Sequence, residues 1–341
     1  SRGLSQLYYC RNFTDIDFNM HLGDEKTIAL LASGNNLGIT LAETPLMKKA
    51  LLLIKPKTIS ELATCLAIIR PAAKDAKKEF ELGKYRKDNM VYDDDVIHLI
   101  AKLVKCDEEM ADKLRRGYCK DDKEAHALLN KFIERRGKTM QTKIKNMLGN
   151  LRKYGFCKAH ALSYAQLVWQ LAYEKAHNPK KFWEATLKNT QTCYRKWVHL
   201  YEAKCNGVTM KTKEDNMSLY ARQRYQKEDH TLSKKEQLSK YGYWHITNTD
   251  FIDGCYYFKV AHQEEWQFCG VVATSRMIQR GKKSTLIVCL CIERNRFIEL
   301  LIDGKCGYNT TKNMIQGKGL LKNKSDDYPS LTCKGKELRV Y

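Results

Sequence analysis

Tyr154-Gly155-Phe156-Cys157-Lys158-Ala159-His160-Ala161-Leu162-Ser163-Tyr164 is a glycine turn running into a new helix. Lys158, His160 and Tyr164 gather near that helix's N-terminus. Backbone N–H groups and the helix dipole make such a terminus a natural anion site. Basic and aromatic side chains interleave there, which suits contacts to a phosphate together with a base or sugar. The continuation, Gln166 to Ala176, reads as core material, with Trp169 and Tyr173 as packing residues. Pro179 closes it.

Upstream of this segment the apolar spacing predicts further helices. Asp24-Glu25 open one with acid in the first turn, favourable to the helix dipole, and Gly34 stops it. A second runs from Thr44 or Pro45 to before Pro56, with proline at an early helical position. A third covers 59–69, with Pro71 beyond its end. Residues 93–105, 107–116, 123–136, 140–154 and 160–176 supply the rest, so the first 200 residues are mainly α. The texture changes after about residue 205. Residues 211–240 are polar and rich in Lys and Gln, and read as a linker or an exposed helical insertion. From Tyr241 onward, runs at 255–260, 267–273, 285–292 and 296–302 read as strands, with Gly281 and Gly304 as turn signals. Such a series suggests a small β-barrel or sandwich. The tail, 305–341, is rich in Gly and Lys and shows no clear pattern. The expected fold is α+β and multidomain: a helical region over 1–204, a polar linker or diverged segment over 205–240, and a small β-barrel domain with a basic tail over 241–341.

Charge narrows the partner class. The 341 residues hold 60 Lys and Arg against 39 Asp and Glu, a net of +21. This excess favours a polyanion, either nucleic acid or an anionic membrane surface. Residues 131–196 alone carry 15 basic and 3 acidic residues, so the positive excess of the chain's middle is concentrated there. No run of 18 apolar residues exists, which excludes a spanning helix. No strongly amphipathic basic helix with a Trp-rich apolar face stands out, which argues against membrane-surface binding. The 13 cysteines are scattered singly, and none forms a C-x-x-C pair. Reduced thiols in a cytosol-like compartment are expected. Cys289-x-Cys291 alternates along a strand-like run and points to one face of a sheet. P-loop, H-E-x-x-H and Ser-elbow motifs are absent.

Three more segments carry candidate chemistry. Asp15-x-Asp17 is a carboxylate pair that can hold a divalent metal, or a solvated turn. The second reading is preferred, because no third acid is paired with it. Arg70-Pro71 ends an apolar helix. Its guanidinium can point a bidentate fork at phosphate or satisfy the helix's last carbonyls. Leu114-Arg115-Arg116-Gly117-Tyr118-Cys119-Lys120 clusters three cations at the end of a helix that starts with acids. This can be dipole complementarity or a triphosphate clamp.

Taken in order, the motifs resemble the C-family replicative DNA polymerases, the bacterial DNA polymerase III alpha subunits. Leu22-Gly23-Asp24-Glu25-Lys26-Thr27 through Gly34-Asn35-Asn36-Leu37-Gly38-Ile39 is similar to the family's entry into the fingers. Glu43-Thr44-Pro45-Leu46-Met47 resembles its E-S-x-x-M. Leu66-Ala67-Ile68-Ile69-Arg70-Pro71 resembles A-L-Y-R-P-G-P. Met110 to Arg116 with Lys120 resembles A-D-x-L-R-R-A-x-G-K-K. Tyr154 to Tyr164 resembles Y-G-F-N-K-S-H-A-x-A-Y, and Ala172 to Pro179 with Phe182 resembles A-Y-L-K-A-H-Y-P-x-x-F. The likeness is nearly continuous from about residue 2 to 208. Residues 245–303 look, more loosely, like the family's C-terminal OB-fold.

The resemblance implies a part of a DNA-directed DNA polymerase, a nucleotidyltransferase of replication or repair synthesis, comprising the fingers and the DNA-binding region. It places the grip on the incoming deoxynucleoside triphosphate on Arg70, Arg115, Arg116, Lys120, Lys158 and His160. Contacts to the primer–template backbone are expected from Lys143, Lys145, Arg152 and Lys153 in the basic block. The family's Mg²⁺-binding carboxylates sit on a palm upstream of Arg2-Gly3-Leu4-Ser5-Gln6-Leu7. No catalytic or metal-binding residue is therefore expected in this sequence, and Asp15-x-Asp17 falls in a segment that is not catalytic in the family. A longer protein, or a separate palm-bearing chain, is expected to hold the metal, and this chain alone is expected to be inactive. Departures stand beside the likeness: R-P-G-P reads Arg-Pro-Ala-Ala, and the tandem helix-hairpin-helix is not recognisable in 211–240. The absent palm and the altered Arg-Pro-Ala-Ala favour the rival reading, a non-catalytic DNA-binding remnant with a structural or packaging role, and the retained Arg-Arg…Lys and Lys-Ala-His residues argue against it. The expected setting is the cytoplasm or another reducing, DNA-containing compartment, with no membrane partner.

Overall fold

The computed structural model describes residues 2–11, 21–70, 73, 77, 91–150, 156–189, 192–209, 231–233, 236, 255–260, 264–280, 283–309, 313–322 and 328–341. Helices come first and strands last, an α+β composition as expected. Among the described residues the helices are α1 (Arg2–Cys10), α2 (Glu25–Ala32), α3 (Pro45–Ile54), α4 (Ile59–Ile68), α5 (Asp93–Val104), α6 (Glu108–Cys119), α7 (Lys123–Glu134), α8 (Lys138–Asn150), α9 (Lys158–His177), α10 (Pro179–Asn189) and α11 (Lys196–Cys205). The strands are β1 (Tyr256–Lys259), β2 (Glu265–Arg280), β3 (Lys283–Glu293), β4 (Arg296–Asp303), β5 (Met314–Leu321), β6 (Ser330–Lys334) and β7 (Arg339–Val340). None of these helices is long and apolar enough to cross a membrane.

The chain divides into two compact units. One comprises residues 17–36 and 46–173, and the other residues 1–16, 37–45 and 174–341. In the first, local signals set the helix ends. Asp24 caps α2 by accepting from the Thr27 N–H at 2.8 Å. Thr58 and Glu61 form a capping box at the start of α4. Asp107 and Asp122 cap α6 and α7. Helices α5 to α8 then bury one apolar face each around Val96, Ile100, Leu114, Leu129, Ile133 and Leu148. Trp169 and Tyr173 are packing residues as expected. The Trp169 indole donates to the His21 carbonyl at 3.1 Å, and the Tyr173 ring stacks on His21 at 3.8 Å.

In the second unit, Pro179 stands past the end of α9 as expected, and it also opens α10 at the first helical position, where its missing N–H costs nothing. A buried polar network fixes the loop at 37–43. Gln6 donates to the Gly38 carbonyl at 2.7 Å and accepts from the Thr40 hydroxyl at 2.6 Å. Lys175 donates to the Leu37 carbonyl at 2.7 Å. The Glu43 carboxylate accepts from the Gly38 N–H and pairs with His199, both at 2.9 Å. Burial raises the Glu43 carboxyl, but the hydrogen bonds of His199, Thr192 and Gly38 and the His199 charge outweigh it and hold the carboxyl below its ordinary range.

The strands form one sheet. β2, β3 and β4 make an antiparallel meander, β4 pairs β6 in parallel, β6 pairs β5, and β5 returns to pair β2. The pairings therefore close on themselves, with β1 and β7 added at β2 and β5. Phe268, Val272, Val288, Leu290, Ile298, Leu300, Ile315 and Leu331 fill the core. Cys289 and Cys291 are both buried in β3. The segment before α11 is bound to the sheet: the Arg195 N–H donates to the Ala273 carbonyl at 2.8 Å, and the Arg195 guanidinium donates to Asn313 and to the Tyr308 hydroxyl.

Candidate functional site

The cations singled out in the sequence fall, in the helical unit, into two groups. The first surrounds Phe156. Arg70 follows α4 and is half-buried, and its guanidinium carbon lies 4.7 Å from the centre of the Phe156 ring. Such a stack holds a cation in place. The Phe156 ring stacks on Tyr164 at 5.9 Å, and Tyr164 meets the His160 imidazole edge-on at 5.9 Å. Phe156 is buried, whereas Lys158, His160 and Tyr164 are exposed on the first two turns of α9. The Lys158 N–H, at the head of this helix, donates to Asp94 Oδ2 at 2.7 Å. Arg70, Lys158, His160 and the helix N-terminus thus share one neighbourhood, joined through two aromatic rings.

The second group lies on α6. Arg115 Nε donates to Asp112 Oδ1 at 2.8 Å, and Arg116 Nε to Asp112 Oδ2 at 2.7 Å. Burial raises the Asp112 carboxyl, but both guanidinium hydrogen bonds and charges outweigh it and hold the carboxyl below its ordinary range. Arg116 is exposed, so part of its fork remains accessible. Lys120 caps the helix, its N–H donating to the Arg116 and Gly117 carbonyls, and its side chain is exposed. Helix α5 reaches both groups. Its first turn carries Asp94, and its apolar face packs with Ala111 and Leu114 of α6.

Of the residues expected at the primer–template, Lys145 is exposed on α8, and Lys143 lies on the same helix. Arg152 and Lys153 lie outside the described residues, as do Asp15 and Asp17. Sequence reasoning missed Asp112 and Asp94. Asp112 was findable, because residues three and four apart face each other on a helix. Asp94 had no signal, since its partner is 64 residues away.

Residues 8–140 match the bacterial DNA polymerase III alpha subunit finger domain. The chain is also similar to DNA polymerase III subunit alpha of Halalkalibacterium halodurans, 31% identical over 189 residues, covering 48% of this chain and 17% of that protein. It is 24% identical over 265 residues to the Ureaplasma parvum subunit, covering 70% of this chain and 26% of the relative. Against the Mycoplasma genitalium subunit it is 30% identical over 193 residues, covering 50% of this chain and 22% of the relative. The chain therefore spans about a sixth to a quarter of the length of these relatives. The order of motifs, the finger-domain match and these relatives agree: the chain carries a fingers region like that of the bacterial DNA polymerase III alpha subunits.

Proposed function

We propose that this chain is the fingers and DNA-binding part of a DNA-directed DNA polymerase. Its role is to grip the triphosphate of an incoming deoxynucleotide and the primer–template during replication or repair synthesis. The observation that carries the reading is the gathering of Arg70, Lys158 and His160 around Phe156 and Tyr164, beside the head of α9. Fixed cations and backbone N–H groups suit an anion that gains and spreads charge during in-line phosphoryl transfer. Arg115, Arg116 and Lys120 form the second part of the grip. Lys143, Lys145, Arg152 and Lys153 are assigned to backbone phosphates of the duplex.

Among the described residues no group of three or more His, Cys, Asp or Glu side chains could hold a metal ion. These described residues do not fit Mg²⁺. The metal belongs, in this reading, to palm carboxylates on another part of a longer protein or on a partner chain. The closed order of strand pairings, with β4 parallel to β6, supports an OB-like module over 241–341. The reducing, DNA-containing compartment is part of the same reading.

The test is incorporation by the complete polymerase. Arg115→Ala and Lys158→Ala should each impair nucleotide incorporation more than DNA binding. Unchanged steady-state incorporation for both removes the site assignment. A non-catalytic DNA-binding remnant is the rival. A deoxynucleoside triphosphate should protect the polymerase part from proteolysis in a Mg²⁺-dependent way, and should leave a remnant unprotected.

A further inference from the structure

We propose that the turn between α7 and α8 is a separate contact site for the DNA phosphate backbone, formed by Arg135, Arg136 and Lys138. This rests on reading the chain as a DNA-binding part of a polymerase, but it uses residues that neither the motifs nor the two cation groups above include. Residues 134–140, Glu-Arg-Arg-Gly-Lys-Thr-Met, are all exposed. The turn is nevertheless held in one shape. The Gln141 side-chain amide donates to the Arg136 carbonyl at 2.7 Å and to the Glu134 carbonyl at 3.2 Å. The Arg136 N–H donates to the Ile133 carbonyl at 3.0 Å, and the Met140 N–H to the Gly137 carbonyl at 2.9 Å. The Arg135 guanidinium lies 5.5 Å from the Phe132 ring centre.

Some exposed cations of the chain are paired with a carboxylate: Lys113 with Glu109, Arg296 with Glu293 and Lys318 with Glu265. Among the described residues no carboxylate lies within ion-pair distance of Arg135, Arg136 or Lys138. Helix α8 carries no acid in its first turn and places Lys138 at its first position, as α9 and α11 do with Lys158 and Lys196. A cation there opposes the helix dipole, and a bound anion would relieve that conflict. Three cations on a fixed corner suit successive backbone phosphates. The nearby aromatic ring, Phe132, is half-buried and already faces Arg135, so the corner lacks a free stacking platform for unpaired bases. Met140 is its one large exposed apolar side chain, too little for insertion into a membrane.

The experiment is equilibrium binding of a fluorescent DNA duplex by the full chain at several salt concentrations. The wild type is compared with the triple variant R135A/R136A/K138A and with K113A/R296A/K318A, which removes the same charge from paired positions. The single variant Arg136→Gln guards against misfolding of the triple variant. The proposal expects the corner variant to bind at least about tenfold more weakly at 0.1 M salt, with a log–log salt slope smaller in magnitude by about 2 to 3. Arg136→Gln should reduce that slope by about 1, and the paired-charge variant should stay near wild type. Equal slopes for wild type, corner variant and Arg136→Gln overturn the proposal while leaving DNA binding intact. No duplex binding by the wild type overturns the DNA-binding reading itself, and the corner site with it. Corner-dependent binding to phosphatidylserine vesicles without DNA binding reassigns the site to membranes and overturns the proposal.

Discussion

Asp94 accepts a hydrogen bond from the backbone N–H of Lys158 at 2.7 Å, tying the first turn of α5 to the head of α9. An unpaired N–H at a helix start is one of the four that the helix itself cannot satisfy, and a carboxylate there also meets the positive end of the dipole. Asp94→Ala should lower stability by about 1 kcal/mol, and Asp94→Asn by less, since the amide oxygen still accepts. Denaturant unfolding of the two variants checks this. Midpoints equal to wild type for both would show that the bond contributes nothing.

Asp112 makes the α6 group sensitive to acid. Its carboxyl is held below the ordinary range by Arg115 and Arg116, so its contribution is present above the unfolded-state value and lost as pH falls through the folded one. The contribution is that of a helix ion-pair network, about 0.3–1 kcal/mol. Asp112→Asn should therefore destabilise the protein at pH 7 by that amount, and the gap to wild type should begin to shrink below about pH 4, the unfolded-state value, and close as pH falls through the lower folded one. A gap that stays constant from pH 7 to pH 3 contradicts this assignment.

The pair Glu43–His199 is a costlier interaction to break. Both side chains are buried, and removing one partner strands the other. Glu43→Gln should cost roughly 3 kcal/mol at pH 7. Because the folded carboxyl is held low, the cost should shrink as pH falls through that folded value. Equilibrium unfolding at pH 7 and at the lowest pH that keeps the wild type folded tests both the size and the sign.

How much of this was legible in the sequence depended on how local the cause was. The ends of α2, α3 and α4 follow from Asp24, Pro45, Thr58 and Glu61, each acting within one turn, and all three helices stand where they were expected. β5 to β7 were not foreseen, because the tail over 305–341, rich in Gly and Lys, shows no clear pattern in sequence. Gly319 in fact lies inside β5, where an added Cβ would meet Cys333 Sγ at 2.7 Å and the Thr332 carbonyl at 2.9 Å. The need for glycine there comes from β6, a neighbour distant in sequence. Likewise the cations of the candidate site were readable from their motifs. Phe156 as the ring beneath Arg70 was not, since 86 positions separate them.

Gly38 separates a backbone need from a packing need. Its φ is +79°, and an added Cβ would stand 3.0 Å from the Trp183 ring. Gly38→Ala therefore meets strain and crowding together, and should cost about 2–4 kcal/mol in unfolding free energy. Trp183→Leu would remove the contact with the Trp183 ring but leave the strain and the Phe182 ring, 3.1 Å from the added Cβ. If Gly38→Ala costs the same in the Trp183→Leu background as in wild type, crowding by Trp183 plays no part. A cost reduced by about 1–2 kcal/mol there is the expected coupling.

Phe156 tests the proposed grip without touching a charge. Its ring lies under the Arg70 guanidinium and also stacks with Tyr164, so it positions a half-buried cation and an exposed ring at once. Phe156→Ala in the complete polymerase should raise KM for deoxynucleotides about tenfold or more, the loss of roughly 1.4 kcal/mol of alignment, with DNA affinity nearly unchanged. Phe156→Tyr keeps the ring and should restore most of the affinity. A purely structural role predicts something else: both substitutions would alter nucleotide and DNA binding in proportion to lost stability, and Phe156→Leu would rescue as well as Phe156→Tyr. Restoration by Tyr but not by Leu, at matched thermal stability, is the outcome that assigns the ring to Arg70.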